Sequence, residues 1–516
     1  MTVAADLSRD SASPEERAAR PTVAGTATLA TPIVQLIMAA PGYAQLLAAA
    51  RANADPFESG VPLPAELIGE PAVLTAFPRI IICLPDVERI LTNLRCFAFL
   101  RATTPDTLSI GAQPLSRLFL CALAGASFLL ESSWLIEPDE AERVAILRAR
   151  LQTVLADPTL DPANAEDALL LAALYGSLGD LPHAERLATV PEARWSAEFG
   201  PVMREQVPFE ECELASRLPT LTPITNQTSQ AVREMYEENP YPRWRAAQSG
   251  ATEPLIDRFR GLCPGEAEPE WPTPLPVLVA GAGTGQHPIQ VALRLPDADV
   301  LAVDLSRASL AYGARMARRI GVQNVRFAQA DILALDALDE RFALIECVGV
   351  LHHLADPLAG WAVLRRLLRP DGLMRIALYS ERARAGVVAA RELLSQEGAV
   401  ATPDGIRAAR RRLLDLPPHH PAANVRRFWD FYSASGFRDL TMHVQEHRFT
   451  IPRLAEALDA LDLRFLRFVV SSAVQERFCA RFPQPDADRD LACWDAFEAD
   501  ESGTFASMYQ FWCCPR

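Results

Sequence analysis

The chain of 516 residues is acidic and contains no lysine. Its net charge at pH 7 is −15, and all 50 of its basic residues are arginine. Chemistry that requires a lysine amine, such as phosphate binding by a P-loop or Schiff-base catalysis, is therefore excluded. The acidic balance also argues against nucleic acid as a partner, because a duplex needs a basic protein face.

Length and composition predict a soluble protein of two or three domains. Hydrophobic residues make up 49% and charged residues 22% of the chain, a globular composition. The ten cysteines form no CxxC pair, which favours free thiols and a cytoplasmic location. Residues 1–25 lack the pattern of a signal peptide and are predicted to be a disordered tail. The longest apolar stretch, Leu118–Leu130, is too short to cross a bilayer, so no membrane role is expected.

A helical domain is predicted over residues 26–225. Apolar residues recur there at three- and four-residue spacing in Ala44–Ala54, Leu115–Leu130, Ala141–Leu155, Ala165–Leu178 and Ala193–Glu205. The segment 165–187 has the Ala, Tyr and Gly placement of a tetratricopeptide-like helical pair. No second copy follows at a matching period, so a repeat array is not expected. The sequence therefore predicts a helical domain without specifying its topology. This domain could serve to form a homodimer.

The pattern changes to that of an α/β protein after a linker rich in Pro and Trp. Short β-branched runs now alternate with helical stretches, which is typical of a parallel sheet. The predicted strands are Val277–Ala280, Val300–Val303, Val325–Ala328, Ala343–Cys347, Met374–Leu378, Leu463–Val470 and Phe505–Trp512. We therefore predict a lid or linker over 226–265, an α/β core over 266–380, an inserted α-rich cap over 381–455, and the final strands of the core over 456–516.

A glycine-rich loop follows the first of these strands. The segment 277–285 reads VLVAGAGTG, and such alternating glycines let a backbone approach a ligand closely. Asp304 ends the second strand, where a carboxylate can accept both hydroxyls of a ribose. Asp331 and Ile332 follow the third strand, where they can contact an adenine ring. A glycine loop alone would also fit a dinucleotide-binding fold.

Two further motifs distinguish these possibilities. The fourth strand runs into GVLHHL (349–354), and the next helix closes with LRPDG (368–372). The set of motifs resembles the class I S-adenosylmethionine (SAM)-dependent methyltransferases, whereas NAD binding leaves this pair unexplained. The resemblance implies a Rossmann-like seven-stranded α/β core that binds SAM through Gly281, Ala282, Gly283, Gly285, Asp304, Leu305, Asp331, Ile332 and Cys347.

The sequence departs from that family at Val279. The family often has an acidic residue two positions before the first glycine, where it meets the amino group of the cofactor. Valine cannot make this contact, so another residue must bind the amine or affinity is reduced.

The flanking segments carry a second resemblance. VREMYEENPYPRW (232–244), HVQEHRFT (443–450) and TFASMYQFW (504–512) are similar to a bacterial subfamily in which a helical, often tetratricopeptide-bearing region precedes the core. The cap is distantly similar to that of certain bacterial protein-lysine methyltransferases. We expect methyl transfer to a nitrogen of a protein or peptide side chain. A small-metabolite acceptor and a non-catalytic SAM-binding scaffold stay open as alternatives.

Candidate catalytic residues are polar groups near the expected position of the sulfonium. Methyl transfer requires a nucleophile held close to the methyl group, and a base that removes its proton. The segment 236–244 could fold over the cofactor as a lid, or merely dock two domains. HxxEH at 443–447 formally matches a zinc-peptidase motif, but it reads as strand or loop, so no metal is expected. The candidates are Tyr236, Tyr241, His352, His353, His443 and Glu446.

Overall fold

The computed structural model describes residues 27–58, 68–104, 107–108, 115–207, 210–247, 251–505 and 508–516. The predicted tail at 1–25 lies outside these residues. A seven-stranded sheet forms the centre of the C-terminal half. In chain order its strands are β1 (Leu275–Ala280), β2 (Ala298–Asp304), β3 (Val325–Gln329), β4 (Phe342–Val348), β5 (Leu368–Tyr379), β6 (Leu463–Phe468) and β7 (Met508–Pro515).

The strand order across the sheet is β3-β2-β1-β4-β5-β7-β6. Strands β1 to β5 pair in parallel, and β7 inserts antiparallel between β5 and β6. The order reverses between β1 and β4, and ligands of such sheets bind beyond the carboxyl ends of the strands at this point. The α/β fold class with a seven-stranded Rossmann-like core is confirmed.

Helices cover both faces of the sheet. The side chains of its central strand point alternately to the two faces, so both faces are apolar and must be buried. Leu278 of β1 belongs to one buried apolar cluster, whereas Val277 and Val279 belong to another on the opposite face. The covering helices are Leu255–Leu262, Gln286–Arg294, Arg307–Ile320, Pro357–Leu367, Ser472–Arg481 and Leu491–Asp500.

The LRPDG motif does not form a separate turn before strand β5. Leu368 pairs with Phe342 of β4, and pairing resumes between Leu373 and Leu344. Residues 369–372 therefore bulge out within the strand, because the two strands contribute unequal numbers of residues to this interval.

The N-terminal region is helical. Its α-helices are Ala27–Ala39, Tyr43–Arg51, Pro71–Ala76, Pro85–Ala102, Arg117–Leu129, Pro138–Ala156, Glu166–Ala173, Glu185–Thr189, Gly200–Gln206 and Glu210–Arg217, and Gln227–Glu238 follows them. The tetratricopeptide-like pair is not confirmed. Its first helix ends at Ala173, and a single turn at Leu178–Asp180 precedes the five-residue helix at 185–189.

The segment between β5 and β6 is rich in helix; its first three helices pack against this N-terminal region, whereas the fourth packs in the apolar cluster of the sheet. Its α-helices are Ala385–Gln396, Pro403–Leu414, Ala434–Met442 and Ile451–Ala460. Phe99 and Leu171 of the N-terminal region share one buried apolar cluster with Val387 and Phe437 of this segment. The residues predicted as a separate cap thus complete the hydrophobic core of the N-terminal helices.

No single helix within the described ranges has both the length and the apolar character needed to cross a membrane. One strongly bent pair, Ile33–Ala39 with Tyr43–Arg51, meets these criteria only when its two helices are taken together.

A buried ion pair joins the two parts of the shared core. The guanidinium of Arg410 donates to both oxygens of Glu88, at 2.8 and 2.9 Å, and also to the carbonyl of Phe431 at 2.8 Å. The Arg410 side chain is fully buried. Removing one member of such a pair leaves a charge without a partner inside the protein.

We predict that Arg410→Ala lowers the free energy of unfolding by about 3–5 kcal/mol, because Glu88 is left buried and unpaired. Arg412→Ala is the matched control. Arg412 pairs with Glu397 on the surface at 2.9 Å, and such a pair contributes about 0–1 kcal/mol. Urea unfolding of both variants measures the difference, and equal losses would contradict the prediction.

Candidate functional site

A cavity of about 270 Å³ lies beyond the carboxyl ends of the strands, at the point where the strand order reverses. Its floor is the glycine loop after β1. Gly283 has φ of +51°, and a Cβ atom there would lie 2.9 Å from the carbonyl oxygen of Tyr241. A glycine is required because the backbone of the 236–244 segment passes directly over the loop.

Asp304, at the end of β2, fixes the same loop. One carboxylate oxygen accepts from the backbone N–H of Gly283 at 2.8 Å, and the other accepts from Ser306 at 2.9 Å. Desolvation raises the pKa of Asp304 above its usual range, and the two backbone donors oppose that rise. The side chain lines the cavity. Each oxygen keeps a second lone pair that can accept a ligand hydroxyl.

The next strand contributes a second carboxylate to the cavity wall. Asp331 caps the turn at 332–337 by accepting from the N–H of Leu333 at 3.0 Å, and its own N–H donates to Thr222 at 2.8 Å. Leu305 and Ile332 line the cavity beside it, as does Ala282 of the loop. The structure therefore brings these sequence candidates together.

Two of the predicted cofactor-binding residues lie outside the cavity lining. Gly285 packs closely between two helices, since a Cβ there would lie 2.6 Å from Cα of Gly313. Cys347 is fully buried in the apolar core, and its neighbours Val348 and Gly349 line the cavity. The alternation of side chains along β4 accounts for the placement of Cys347.

The segment 236–244 covers the cavity and is fastened to the glycine loop. Tyr236, Tyr241 and Pro242 line the cavity. Trp244 points away from it and donates from Nε1 to the carbonyl of Thr284 at 3.0 Å, while the Thr284 hydroxyl donates to the carbonyl of Pro242. The two tyrosines of this segment therefore lie over the cavity, as a lid would. Its tryptophan instead docks the segment on the glycine loop.

The two histidines after β4 have different environments. His353 lines the cavity, and its Nδ1 lies 2.7 Å from the carbonyl oxygen of Gln445. His352 is fully buried, does not line the cavity, and stacks on Tyr379 with ring centroids 3.6 Å apart. Burial lowers the pKa of both imidazoles. Direct contact of His352 with a substrate is therefore not supported.

The HxxEH residues do not form a metal-binding helix. The helix before them ends at Met442, and the stretch that follows has no helical span; it reaches the end of β5 only at Phe449, which bridges to Ser380. The ring of His443 stacks on that of His353 at 3.6 Å, just outside the cavity lining. Glu446 is bound by Arg384 at 2.7 Å and Arg391 at 3.3 Å, so it neutralises these arginines instead of facing the cavity.

Sequence reasoning missed several cavity residues. Asp439 and Tyr379 line it, and the Tyr236 hydroxyl donates to Asp439 at 2.5 Å. Nothing in the local sequence marks Asp439, since it comes from a helix far along the chain. Ser229 and Val232 form a stripe with Tyr236 at three- and four-residue spacing, a helical pattern that could have been recognised.

Another missed feature lies next to Val279. Glu346 is its register partner on β4 and is fully buried, within 2.7 Å of Arg294, 3.3 Å of Arg375 and 2.8 Å of His287. Desolvation would raise the pKa of Glu346, but the two arginines and the contact with the His287 ring hold it well below its usual range. His287 also lines the cavity, so a carboxylate from the neighbouring strand orients a cavity side chain.

Residues 277–372 match the family model described as a methyltransferase domain. This match lies within the α/β core and agrees with the methyltransferase motifs of the sequence. An uncharacterized protein of Synechococcus is 30% identical over 268 residues, which cover 49% of this chain and 63% of the relative. The match thus spans less than two thirds of that relative's length.

Solved structures of methyltransferases are more distant. The structure of PKMT2 from Rickettsia typhi in complex with AdoHcy has 19% identity and a TM-score of 0.40, covering 51% of this chain and 53% of the other. Magnesium protoporphyrin IX methyltransferase from Synechocystis with bound SAH has 11% identity and a TM-score of 0.28, covering 60% and 94%.

The Tyr241 hydroxyl also attaches the 236–244 segment to the segment between β5 and β6, by donating a hydrogen bond to Asp430. Desolvation raises the pKa of Asp430 to about 7, and the bond from Tyr241 opposes that rise. We predict that Tyr241→Phe lowers the free energy of unfolding by about 1–3 kcal/mol, because the carboxyl group loses its partner. Chemical denaturation measures this, with Tyr43→Phe, a half-buried tyrosine away from the cavity, as control. Equal stabilities of the two variants would contradict the assignment.

Proposed function

We propose that this protein transfers the methyl group of SAM to a nitrogen of a protein or peptide side chain. The observation that carries the proposal is a single cavity with two different ends. One end has the glycine loop and the carboxylates of Asp304 and Asp331. The other end has His353 from the turn after β4, Tyr379 from β5, and Asp439 from the segment between β5 and β6.

The first end suits an adenosyl group. The free lone pairs of Asp304 can accept the two ribose hydroxyls, and the carboxylate of Asp331 can accept from the adenine amine. Leu305 and Ile332 supply apolar surface for the ring. Gly281 and Gly283 have positive φ angles, which favour glycine. The loop therefore presents no side chain to the cofactor at these two positions.

SAM supplies an electrophilic methyl group to an acceptor held in line with its carbon–sulfur bond. The chain's own residues position that acceptor and exclude water. The 236–244 segment contributes to exclusion because it is hydrogen-bonded to the glycine loop at Thr284. His353 and Asp439 stand at the acceptor end of the cavity.

The large helical part of the chain supports a macromolecular acceptor. The N-terminal helices and the segment after β5 share one extended core, and the latter supplies Asp439 to the acceptor end of the cavity. A surface of that extent can hold a polypeptide, whereas a small metabolite needs only the cavity.

The decisive experiment is incubation of the protein with methyl-labelled SAM and a bacterial lysate. Label in precipitated protein that survives alkali, and that appears in N-methylated amino acids after acid hydrolysis, would support the proposal. Label only in small molecules would overturn the protein acceptor. Cofactor binding without any labelled product would favour a non-catalytic scaffold.

We predict that Asp304→Ala weakens binding of S-adenosylhomocysteine (AdoHcy) at least about 100-fold, because the variant loses charged hydrogen-bond acceptors worth roughly 1.5–3 kcal/mol each. Asp336→Ala is the control, since Asp336 pairs with Arg366 on the surface at 3.4 Å. Titration calorimetry measures both affinities, and circular dichroism checks the fold. Unchanged affinity in Asp304→Ala would refute this cofactor site.

A further inference from the structure

The acceptor end of the cavity contains a buried carboxylate without an ion-pair partner. The Asp439 side chain lines the cavity, and the residue is 5% exposed. It accepts a hydrogen bond from the Tyr236 hydroxyl at 2.5 Å, but no arginine or histidine in the described part of the chain forms an ion pair with it. Burying a carboxylate is costly unless a cation accompanies it.

No guanidinium group in the described residues pairs directly with Asp439. Arg384 forms a two-point pair with Glu446 at 2.7 and 3.1 Å. Arg391 also binds Glu446 and donates to the carbonyl of His443 at 2.8 Å. Both arginines are thus held by other acceptors, which leaves the Asp439 carboxylate open to direct contact with a cationic ligand.

His353 lies beside this carboxylate with one ring nitrogen committed. Its Nδ1 is 2.7 Å from the carbonyl oxygen of Gln445, so Nδ1 must carry the proton and donate it. The lone pair is then on Nε2. Burial lowers the pKa of His353, which keeps the imidazole neutral at pH 7 and able to accept a proton.

A metal ion is a poor fit to the same cluster. Ligand atoms of His353, Asp439 and His443 lie within 4.8 Å of one another. However, the two imidazoles are stacked with an interplanar angle of 21°, so their in-plane lone pairs run side by side and do not converge. Nδ1 of His443 also accepts from the N–H of Gln445 at 3.0 Å, which leaves the proton on Nε2.

That Nε2 atom of His443 is buried and lacks a hydrogen-bond partner in the described structure. The cluster thus presents a carboxylate, an imidazole lone pair and an unused N–H donor in one place. This set can bind an ammonium group through Asp439 and remove one of its protons through His353.

We propose that the acceptor is an alkyl amine that enters as its ammonium ion, with Asp439 as its anchor and His353 as its general base. This inference rests on the proposed methyltransferase function. His353 Nε2 takes one proton from R–NH3⁺, and the freed lone pair forms the N–C bond to the methyl group. The C–S bond breaks, its electrons remain on sulfur, and the products are R–NH2⁺–CH3 and AdoHcy.

The binding test uses n-butylammonium and its neutral analogue n-butanol on the AdoHcy-saturated protein, followed by ligand-observed NMR. We expect n-butylammonium to bind at least about tenfold more tightly, and Asp439→Asn to abolish the difference, because it removes the charge but can keep the bond from Tyr236. Asp336→Asn is the control. Equal binding of the two probes, or an unchanged preference in Asp439→Asn, overturns the anchor.

A second comparison separates the acceptor from the cofactor. Asp439→Asn should not change the ratio of the affinities for AdoHcy and for methylthioadenosine, a nucleoside that lacks the amino-acid end of the cofactor. A selective loss of AdoHcy affinity would assign Asp439 to the cofactor's own ammonium and overturn the inference. If the wild-type protein bound neither nucleoside, the proposed function itself would fail.

The catalytic role of His353 predicts a pH dependence of methyl transfer from SAM to n-butylamine. The rate should fall as pH drops through the pKa of His353, because the protonated imidazole cannot act as a base. His353→Gln should lose about 10²–10⁴ in rate and lose this acidic limb. The charged or titratable groups that face His353 are Asp439, Glu446, Arg384, His352, His443 and Tyr379.

The control for this measurement is His183→Gln, an exposed histidine remote from the cavity. It should keep the wild-type rate and profile. A His353→Gln variant that retained the rate, or that slowed without any change in the shape of the profile, would overturn the base assignment. Absence of transfer between bound SAM and bound amine would do the same.

Discussion

The candidate site depends on the close contact between the backbone at 241–242 and the glycine loop. Gly283 permits it because any Cβ atom would lie 2.9 Å from the Tyr241 carbonyl oxygen. Thr284 then binds both Pro242 and Trp244, one through its hydroxyl and the other through its carbonyl. The same loop is held from below by Asp304. One short turn therefore positions the floor and the cover of the cavity together.

This contact connects the two halves of the molecule. The 236–244 segment lies on the α/β core through Thr284, and its tyrosines reach Asp430 and Asp439 in the segment after β5. That segment shares its hydrophobic core with the N-terminal helices. The N-terminal helices are therefore connected to the acceptor end of the cavity through this shared core and through the tyrosines of the 236–244 segment.

The buried carboxylates near the cavity have two kinds of environment. Glu346 and Glu446 are buried but are each surrounded by arginines, so they orient neighbouring groups at little electrostatic cost. Asp439 is also buried, yet a tyrosine hydroxyl is its hydrogen-bond donor. Because Asp439 has no cationic partner among the described residues, our proposal assigns the missing positive charge to the acceptor.

The sequence by itself determined the seven strands, the glycine loop, and the carboxylates at the ends of β2 and β3. These features are local, since a strand and the turn after it are encoded in a few consecutive residues. The tertiary structure decided the rest. It placed β7 between β5 and β6 and brought Asp439 to the cavity. Such placements depend on packing between distant segments, to which no local pattern corresponds.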